Sequence, residues 1–325
     1  TSASGGILAY SPVRDRPPRW HALASVSLEA HRRLEGQLSV EVPAPPKWTW
    51  TGRLEVALNG EGEEFLRAQT SAEQKAGSNV TWLEPDAVME LEPNIVRTWG
   101  GAFDPDAGFV NPGTLAGALL ESAYQSGAVT MMSTRVVGLL VSGSSAYGVR
   151  TSDGKHVKGD VTIICTGVWT APFSTNTTAP RITPLRGQVA LLQDPDTTAL
   201  FRSVIYGAGI YIVPRDDGVL VGASREEVGF TQGNTVGAIA GLLRAAETLL
   251  PSIAVCPWHT VSVRNGFRPQ SETTVPVIGP DLSVKNLWWA TGHFDNGILL
   301  APLTAELALT GIEGALDPRI GPPWE

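Results

Sequence analysis

The sequence predicts a mixed α and β fold with two domains, one with a sheet covered by helices and one with an antiparallel sheet. Three observations support this prediction. The chain has 325 residues, of which 42% are hydrophobic and 17% charged, which is enough for two globular cores. Helical and strand patterns are mixed over the first half of the chain. Over residues 181–270, in contrast, several strands occur with one helix, which is typical of an antiparallel sheet.

Four segments of the first half are predicted as helices from their apolar spacing and from the glycines and prolines that bracket them. They are residues 20–37, 63–77, 84–93 and 113–127. The first is expected to end near Gly36. The last is expected to begin at Pro112, because proline suits the first turn of a helix. A proline-rich connector and a strand at 53–58 separate the first two helices.

Short runs of apolar and β-branched residues predict the strands. These lie at 128–132, 136–141, 146–151, 161–166, 186–192, 209–214, 218–224 and 259–264. The run at 161–166 is almost wholly apolar, which indicates a strand covered on both faces. A helix at about 235–250 completes the second group. After it come a buried strand, a glycine-containing turn and a long apolar helix.

The composition argues against several classes of partner. With 24 Lys and Arg against 32 Asp and Glu, the net charge is −8, which disfavours a basic nucleic-acid surface. No apolar run approaches the length of about 18–20 residues that spans a membrane, so a soluble protein is expected. Cys165 and Cys256 predict two buried thiols in a reducing, intracellular compartment. The five histidines lack metal-ligand spacing, and no metal site is predicted.

Two strand-to-turn junctions end in Thr-Gly, at Thr166–Gly167 and at Thr291–Gly292. Glycine lets the backbone approach a ligand closely, and in open α/β sheets ligands bind beyond the carboxyl ends of the strands. The junctions therefore either line a common cofactor crevice or are two ordinary tight turns. The turn that begins at Asn296 would offer exposed N–H groups to an anionic or electron-rich group.

Six segments occur together in an order that is similar to one enzyme family. They are T-S-A-S-G-G-I-L-A, T-I-I-C-T-G-V-W, L-R-G-Q, G-I-Y-I-V-P-R-D-D-G-V-L-V-G-A-S, G-F-R-P and A-T-G-H-F-D-N-G-I-L-L-A-P. Over essentially the whole chain they resemble the glycine oxidase branch of the D-amino-acid oxidase superfamily, whose members oxidise amines with FAD. The resemblance implies an FAD-dependent oxidase or dehydrogenase. Hydride would pass from the carbon of a C–N bond to the flavin N5 atom, and the imine would then be hydrolysed.

The resemblance also implies the domain organisation. A Rossmann-like FAD-binding domain of the glutathione-reductase type is expected to comprise residues 1–45, 105–175 and 272–325. The antiparallel substrate domain is expected to comprise 46–104 and 176–271. The substrate would be a small amine or amino acid.

Site residues follow from the same motif match. The cofactor-facing set is Thr1, Gly5, Gly6, Ile7, Thr166, Gly167, Trp169, His293, Phe294, Asn296, Gly297, Ile298 and Leu299, with Val136 on the adenine side. Tyr211 and Arg268 match the residues that hold the substrate carboxylate, which an arginine can bind through two parallel hydrogen bonds. The alternative for Tyr211 is a tyrosine that simply packs in a strand, and the alternative for Arg268 is a surface salt bridge. Flavin chemistry needs no side-chain nucleophile, so positioning contributes most of the catalysis.

Two features depart from the family pattern. The usual G-x-G-x-x-G βαβ unit does not occur, and the sequence begins at Thr1. Three explanations are open: a separate short chain supplies that unit, the sequence is a piece of a longer protein, or this form has lost FAD. The first two weigh equally, and each weighs more than the third. The second departure is Asp295, where the family has arginine. A carboxylate beside the substrate predicts poor binding of glycine and better binding of a cationic amine, unless Asp295 points into solvent.

A function of a different class stays open as an alternative. The chain would then be a catalytically inactive flavoprotein-fold subunit that acts as a scaffold in a larger complex. An oligomer is expected. The stretch around Trp48 and Trp50 either forms an exposed contact patch, as tryptophan often does at interfaces, or packs between the domains.

Overall fold

The structure, a computed structural model, describes residues 3–9, 19–173, 179–193, 200–216, 218–272 and 275–314. Six α-helices occur in these ranges: α1 (Arg19–Glu41), α2 (Gly60–Lys75), α3 (Pro85–Leu91), α4 (Pro112–Gln125), α5 (Val236–Leu249) and α6 (Ala301–Ile312). The strands of the first half are β1 (Ile7–Leu8), β2 (Trp48–Thr49), β3 (Arg53–Val56), β4 (Thr81–Leu83), β5 (Gly101–Asp104), β6 (Gly108–Val110), β7 (Val136–Ser142), β8 (Ser145–Thr151), β9 (His156–Lys158) and β10 (Thr162–Ile164). Those of the second half are β11 (Ile182–Gln193), β12 (Val204–Gly207), β13 (Ile210–Arg215), β14 (Gly218–Gly222), β15 (Thr260–Ser271), β16 (Val277–Pro280) and β17 (Leu287–Thr291).

The strands form one large sheet and three small ones. The large sheet has eight strands in the order β15-β11-β14-β13-β12-β3-β5-β4. The small sheets have the orders β1-β6-β2, β10-β17-β16 and β7-β8-β9. The strands that pair in parallel are β10 with β17 and β12 with β3, and the other described pairs between strands are antiparallel.

The two faces of the large sheet carry different residues, because successive side chains of a strand point to opposite faces. Leu54, Ile205 and Ile212 point to the face covered by α3 and α5, where they form the largest apolar core. The opposite face carries Tyr206 and Tyr211, which are paired in register across β12 and β13. This second face is the one on which the candidate site lies.

A buried arginine on that second face links strands β3 and β5 to helix α2. Arg53 on β3 is fully buried, opposite Asp104 on β5, and its guanidinium lies 3.6 Å from a carboxylate oxygen of Glu73 and 3.8 Å from one of Glu55. A buried charge is tolerated only when it is paired. Burial raises the pKa of Asp104, and the nearby Arg53 opposes that rise.

The parallel pair β10 and β17 lies in a second layer with α1 and α6. Leucines of both helices pack on Ile278 of β16. On the other side, Ile164, Leu287 and Trp289 pack with residues of β8 and with Phe173. The carboxyl ends of β10 and β17 therefore lie side by side at one edge of this layer.

The predicted starts of two helices are confirmed. The Asn111 side chain accepts a hydrogen bond from the Gly113 N–H over 2.9 Å, with Pro112 in the first turn of α4. The Thr235 hydroxyl caps α5 by accepting from the Ala238 N–H. None of the described helices has both the length and the hydropathy needed to cross a membrane.

Two element predictions are wrong. Helix α1 passes through Gly36 and ends at Glu41, because Leu38 is fully buried and extends the apolar face beyond the glycine. Residues 128–132 form no strand. All five are exposed, so their apolar side chains have no sheet to pack against.

Two further expectations about burial are corrected, and one open alternative is decided. Strand β10 is covered on one face only, with Ile163 42% exposed. Cys165 is exposed and Cys256 partly exposed, so the two thiols are not the buried pair expected. Trp48 is buried, and the Trp50 indole donates to Glu35 over 2.8 Å, so this stretch packs within the chain.

Candidate active site

Tyr211 and Arg268 lie on the open face of the large sheet, each over a glycine of the neighbouring strand. A Cβ atom at Gly222 would come within 2.6 Å of the Tyr211 ring, and one at Gly187 within 2.5 Å of the Arg268 guanidinium. Both side chains therefore lie flat against the strands at positions where the sheet has no side chain. A side chain at either glycine would displace Tyr211 or Arg268 from the sheet surface.

Burial shifts the pKa values of both residues. It raises the pKa of the Tyr211 hydroxyl, although Arg268 opposes the rise, so the hydroxyl stays neutral and able to donate a hydrogen bond. Burial lowers the pKa of Arg268, while Tyr211 and Asp295 raise it. A guanidinium remains protonated at any physiological pH. One cation and one neutral donor thus face the same space, which suits a carboxylate.

The segment before β1 covers this site from above. A Cβ atom at Gly5 would lie 3.1–3.2 Å from the Tyr211 ring and hydroxyl, and the Gly5 carbonyl accepts from Arg215 over 2.6 Å. Gly6 has a positive φ of 67°, and its carbonyl accepts from the Val110 N–H. The structure thus brings the predicted Gly5 against the site, while Gly6, the next residue, packs on Val110 and Pro112. Ile7 follows them in β1, and Thr1 lies outside the described residues.

The segment after β17 closes the site from the side. Phe294 has a positive φ of 52°, and its N–H donates to the Pro269 carbonyl, next to Arg268, over 2.9 Å. Asp295 follows, and its Oδ2 accepts from Arg225 over 2.9 Å while its Oδ1 accepts from Asn296 over 2.7 Å. Asp295 therefore does not point into solvent. It faces the Tyr211–Arg268 site as one half of an ion pair.

Helix α1 holds the next part of this segment from behind. His31 Nε2 lies 2.9 Å from the Ile298 carbonyl and 3.1 Å from the Leu299 carbonyl, and the Ser27 hydroxyl also donates to Leu299. The Trp48 indole N–H donates to His31 Nδ1. Because two carbonyls surround Nε2, this nitrogen carries the proton. Burial lowers the pKa of His31, which keeps the ring neutral.

His293, predicted to face the cofactor, is a partly buried histidine whose ring is neutral. Burial lowers the pKa of its ring to about 4, and Nε2 lies 2.9 Å from the Thr304 hydroxyl. That bond ties the turn to α6.

The two Thr-Gly junctions meet, as expected for adjacent parallel strands. The Gly167 carbonyl accepts from the hydroxyls of Thr170, over 2.7 Å, and Thr291, over 3.2 Å. Thr166 lies 3.3 Å from Thr170, hydroxyl to hydroxyl, in the same cluster. Gly167 has a positive φ of 55° and open space where a side chain would be. The junctions thus form one polar edge.

Trp169 connects this edge to the substrate side. Trp169 is 59% exposed, and its ring stacks on that of Phe230 with 6.5 Å between the ring centroids. The Phe230 ring in turn packs edge-on against the Phe267 ring, with 5.8 Å between the centroids. Phe267 directly precedes Arg268. Val136 is not part of this grouping, because it lies in the β7-β8-β9 sheet and packs near Ile164.

Several residues of the site are not found by sequence reasoning. Tyr206 lies beside Tyr211, with 5.8 Å between ring centroids, and burial raises its pKa. Arg225 lies in the loop after β14 and reaches Asp295 across 70 residues of sequence. Ser27 and His31 are four residues apart on the apolar side of a predicted helix. This spacing places both polar side chains on one helix face, and it is the sequence signal from which they could have been found.

Comparison with known proteins gives a consistent result. A family model described as DAO, FAD dependent oxidoreductase, matches residues 1–309. A glycine oxidase from Bacillus licheniformis is 31% identical over 318 residues, which cover 97% of this chain and 83% of that protein. The bifunctional protein ThiO/ThiG of Trichormus variabilis is 33% identical over 265 residues, 79% of this chain. The match spans only 38% of the length of that relative.

The solved structures agree. The crystal structure of glycine oxidase from Geobacillus kaustophilus superposes with a TM-score of 0.90 and 26% sequence identity, covering 98% of this chain and 85% of that chain.

Proposed function

The chain belongs to the DAO family of FAD-dependent oxidoreductases, and on that premise we propose that it oxidises the C–N bond of a small amine or amino acid. The resemblance found in the sequence and the mixed α/β flavoprotein fold are both confirmed. The observation that carries the proposal is the pairing of Tyr211 and Arg268 over glycines on one open sheet face. That pair offers a carboxylate one cation and one neutral donor.

FAD is the cofactor of this family, and the described residues fit it. Within the described residues, the N–H groups of Gly297, Ile298 and Leu299 have no hydrogen-bond acceptor, although Leu299 is buried. The Ile298 carbonyl is bonded to His31, and in a trans peptide the Leu299 N–H points the opposite way. These donors suit the electron-rich edge of a flat ring. The loops at 5–7, 166–169 and 293–299 would hold the cofactor.

Bound FAD supplies the acceptor for the two electrons and the hydrogen that leave the carbon of the C–N bond. The substrate thereby loses a hydride from carbon and a proton from nitrogen, the proton passing to water, and becomes an imine. Water then adds to the imine and releases a carbonyl compound and an amine or ammonia. Arg268 and Tyr211 contribute by binding the carboxylate and fixing the orientation of the neighbouring carbon. The raised pKa of Tyr211 keeps its hydroxyl protonated in this role.

The retained Tyr211–Arg268 pair speaks against the inactive scaffold, since a scaffold needs no carboxylate site. Asp295 also contributes to positioning, through its ion pair with Arg225. A separate short chain and an oligomer stay predictions.

The domain division also belongs to this proposal. The eight-stranded sheet is built from strands within 53–104 and 182–271, which supports a substrate domain of 46–104 and 176–271. The remaining segments, 1–45, 105–175 and 272–325, contribute α1, α6 and the parallel pair of strands. They would form the FAD-binding domain, with Val136 on its adenine side.

The proposal is tested with the purified, FAD-loaded protein under anaerobic conditions. Adding a panel of small amines and amino acids should bleach the flavin absorbance with at least one of them, and the matching carbonyl product should appear after air is admitted. A loaded protein that no amine bleaches would favour the scaffold. Adding dioxygen or an artificial electron acceptor separates an oxidase from a dehydrogenase.

A further inference from the structure

An arginine outside the predicted site, Arg225, lies at its mouth. Its Nη2 donates to Asp295 over 2.9 Å, and its guanidinium lies over the Phe294 ring, 5.6 Å from the centroid. The Arg225 side chain is 53% exposed, whereas that of Asp295 is 18% exposed. Arg225 is therefore the solvent side of the ion pair, and Asp295 is the inner side.

Backbone contacts hold Arg225 beside Arg268. The Arg268 Nη1 donates over 3.0 Å to the carbonyl of Ser224, the residue before Arg225. The Phe294 N–H donates to the carbonyl of Pro269, the residue after Arg268. Together with the ion pair to Asp295, these bonds join three separate segments into a ring of contacts. Arg225 is consequently held close to Arg268, and it is the more exposed of the two arginines.

The acceptor capacity of Asp295 is largely used. Its two oxygens accept from Arg225 and from Asn296, the latter over 2.7 Å. The sequence predicts that the Asp295 carboxylate favours a cationic amine, but that prediction takes no account of a neighbouring cation. Paired with Arg225, its charge is compensated, and Arg268 is left as a net cation.

The donor capacity of Arg225 is largely unused. A guanidinium has five N–H donors, and Asp295 is the hydrogen-bond partner of Arg225 among the described residues. The wider charge balance points the same way. Burial raises the pKa of Tyr211, but Arg268, Arg215 and Arg225 all lie close enough to lower it, against the one carboxylate of Asp295 that raises it. The surroundings of Tyr211 thus favour anions.

We propose that Arg225, positioned by Asp295, selects substrates that carry a second carboxylate. Arg268 and Tyr211 bind the carboxylate beside the reacting carbon, and Arg225 binds the one at the far end. The substrate class is then a dicarboxylic amine or amino acid, not a cationic amine. This inference rests on the proposed function, because it concerns the substrate of the same site.

The test measures binding with a matched pair of unreactive ligands. Methoxyacetate and diglycolate differ by one carboxylate, and neither has a C–N bond to oxidise. Calorimetric titration of the FAD-loaded protein should give a Kd for diglycolate about tenfold lower than for methoxyacetate, the effect of one added charge-assisted contact. Because Arg225 is half exposed, this advantage should shrink as salt is raised.

The variant Arg225→Met should remove the advantage, bringing the two Kd values within about twofold of each other, while methoxyacetate binding through Arg268 persists. The matched control is Arg244→Met, which changes an exposed arginine of α5, and it should keep the preference. Equal affinities in the parent protein would overturn the proposal, as would a preference that survives Arg225→Met. If Arg225→Met bound neither methoxyacetate nor diglycolate, the proposal would also be overturned, because Arg225 would then have a structural role. If Arg225→Met does not fold, the salt dependence of the diglycolate advantage in the parent protein decides. An advantage that does not shrink as salt is raised overturns the proposal.

The outcome is separable from that of the proposed function. A protein that oxidises amines without preferring diglycolate refutes the role of Arg225 alone. A protein that prefers diglycolate through Arg225 but oxidises no amine refutes the proposed function alone.

Discussion

At the scale of single residues, two glycines decide where the substrate-side groups lie. Gly187 and Gly222 leave gaps in the sheet, and Arg268 and Tyr211 fill them. The motifs around these residues could be recognised in the sequence, and Tyr211 and Arg268 were predicted from them. Arg225 could not be found in this way, because its partner Asp295 lies in a distant segment and an exposed arginine in a loop has no distinctive pattern.

Replacing Arg268 with lysine should weaken substrate use. Lysine keeps the charge but loses the planar fork that binds a carboxylate through two bonds. We expect kcat/KM for an accepted amino acid to fall about 10- to 100-fold, which corresponds to about 1.5–3 kcal/mol. Steady-state kinetics would measure this. Arg244→Lys on the opposite side of the sheet is the control, and an equal fall in both variants would contradict the assignment.

The desolvated ring of His293 should make stability depend on pH. Its folded pKa of about 4 lies below its ordinary value of 6.5, so the folded state binds fewer protons than the unfolded state. The contribution is complete above about pH 6.5 and is lost as the pH falls toward 4, by on the order of 3 kcal/mol in total. Urea unfolding at a series of pH values would show this.

The variant His293→Gln should have a flatter profile over the same range of pH. His31 also has a lowered pKa, but it is present in both proteins, so their difference isolates His293. His156→Gln, at an exposed position, is the control and should leave the profile unchanged. An unchanged slope in His293→Gln would show that the ring is not buried in its neutral form.

At the scale of elements, local signals predict helices better than strand lengths. Proline and asparagine at the start of α4 predicted that helix from its own residues. Strands β11 and β15 pair over twelve residues each, but only 186–192 and 259–264 were predicted. The parts that were missed include Arg268 and its neighbours. These residues line the site instead of an apolar core, so they lack the apolar pattern of a strand.

The continuation of α1 through Gly36 leads to a stability prediction. Gly36 is exposed and inside the helix, with open space around it, so Gly36→Ala should raise the free energy of unfolding by about 0.5–1 kcal/mol. Gly77, after the end of α2, has a positive φ of 90°. Gly77→Ala should therefore lower it, by about 1 kcal/mol. Urea denaturation of both variants tests the pair, and destabilisation by Gly36→Ala would mean that the helix ends at the glycine.

At the scale of the whole molecule, the large sheet depends on contacts that no local pattern encodes. Strand β3 pairs in parallel with β12, some 150 residues later in the chain. The buried Arg53 requires both Asp104 and Glu73 nearby, so charge pairing helps to fix this arrangement. The family resemblance predicted the overall fold correctly, whereas composition and spacing alone predicted a mixed fold without its strand order.

FAD should stabilise the whole molecule, because the proposed cofactor loops come from the beginning, middle and end of the described chain. At a free concentration of one hundred times its Kd, a ligand that binds only the folded state adds about 2.7 kcal/mol to the free energy of unfolding. Thermal or urea unfolding with and without FAD would measure this increment.

A Cβ atom at Gly297 would meet its nearest protein atom at 3.7 Å, an ordinary contact. Gly297→Ala should therefore leave the stability without FAD nearly unchanged but reduce the increment, because the added methyl group would crowd a cofactor held by this turn.

The matched control for this prediction is Gly117→Ala, in α4, where a side chain would meet open space. It should raise the stability without FAD, as alanine does inside a helix, and leave the FAD increment unchanged. The two variants thus separate the stability of the protein from its affinity for the cofactor. If Gly297→Ala kept the full increment, the turn at 296–300 would not contact FAD, and the cofactor would have to be held by the loops at 5–7 and 166–169 alone.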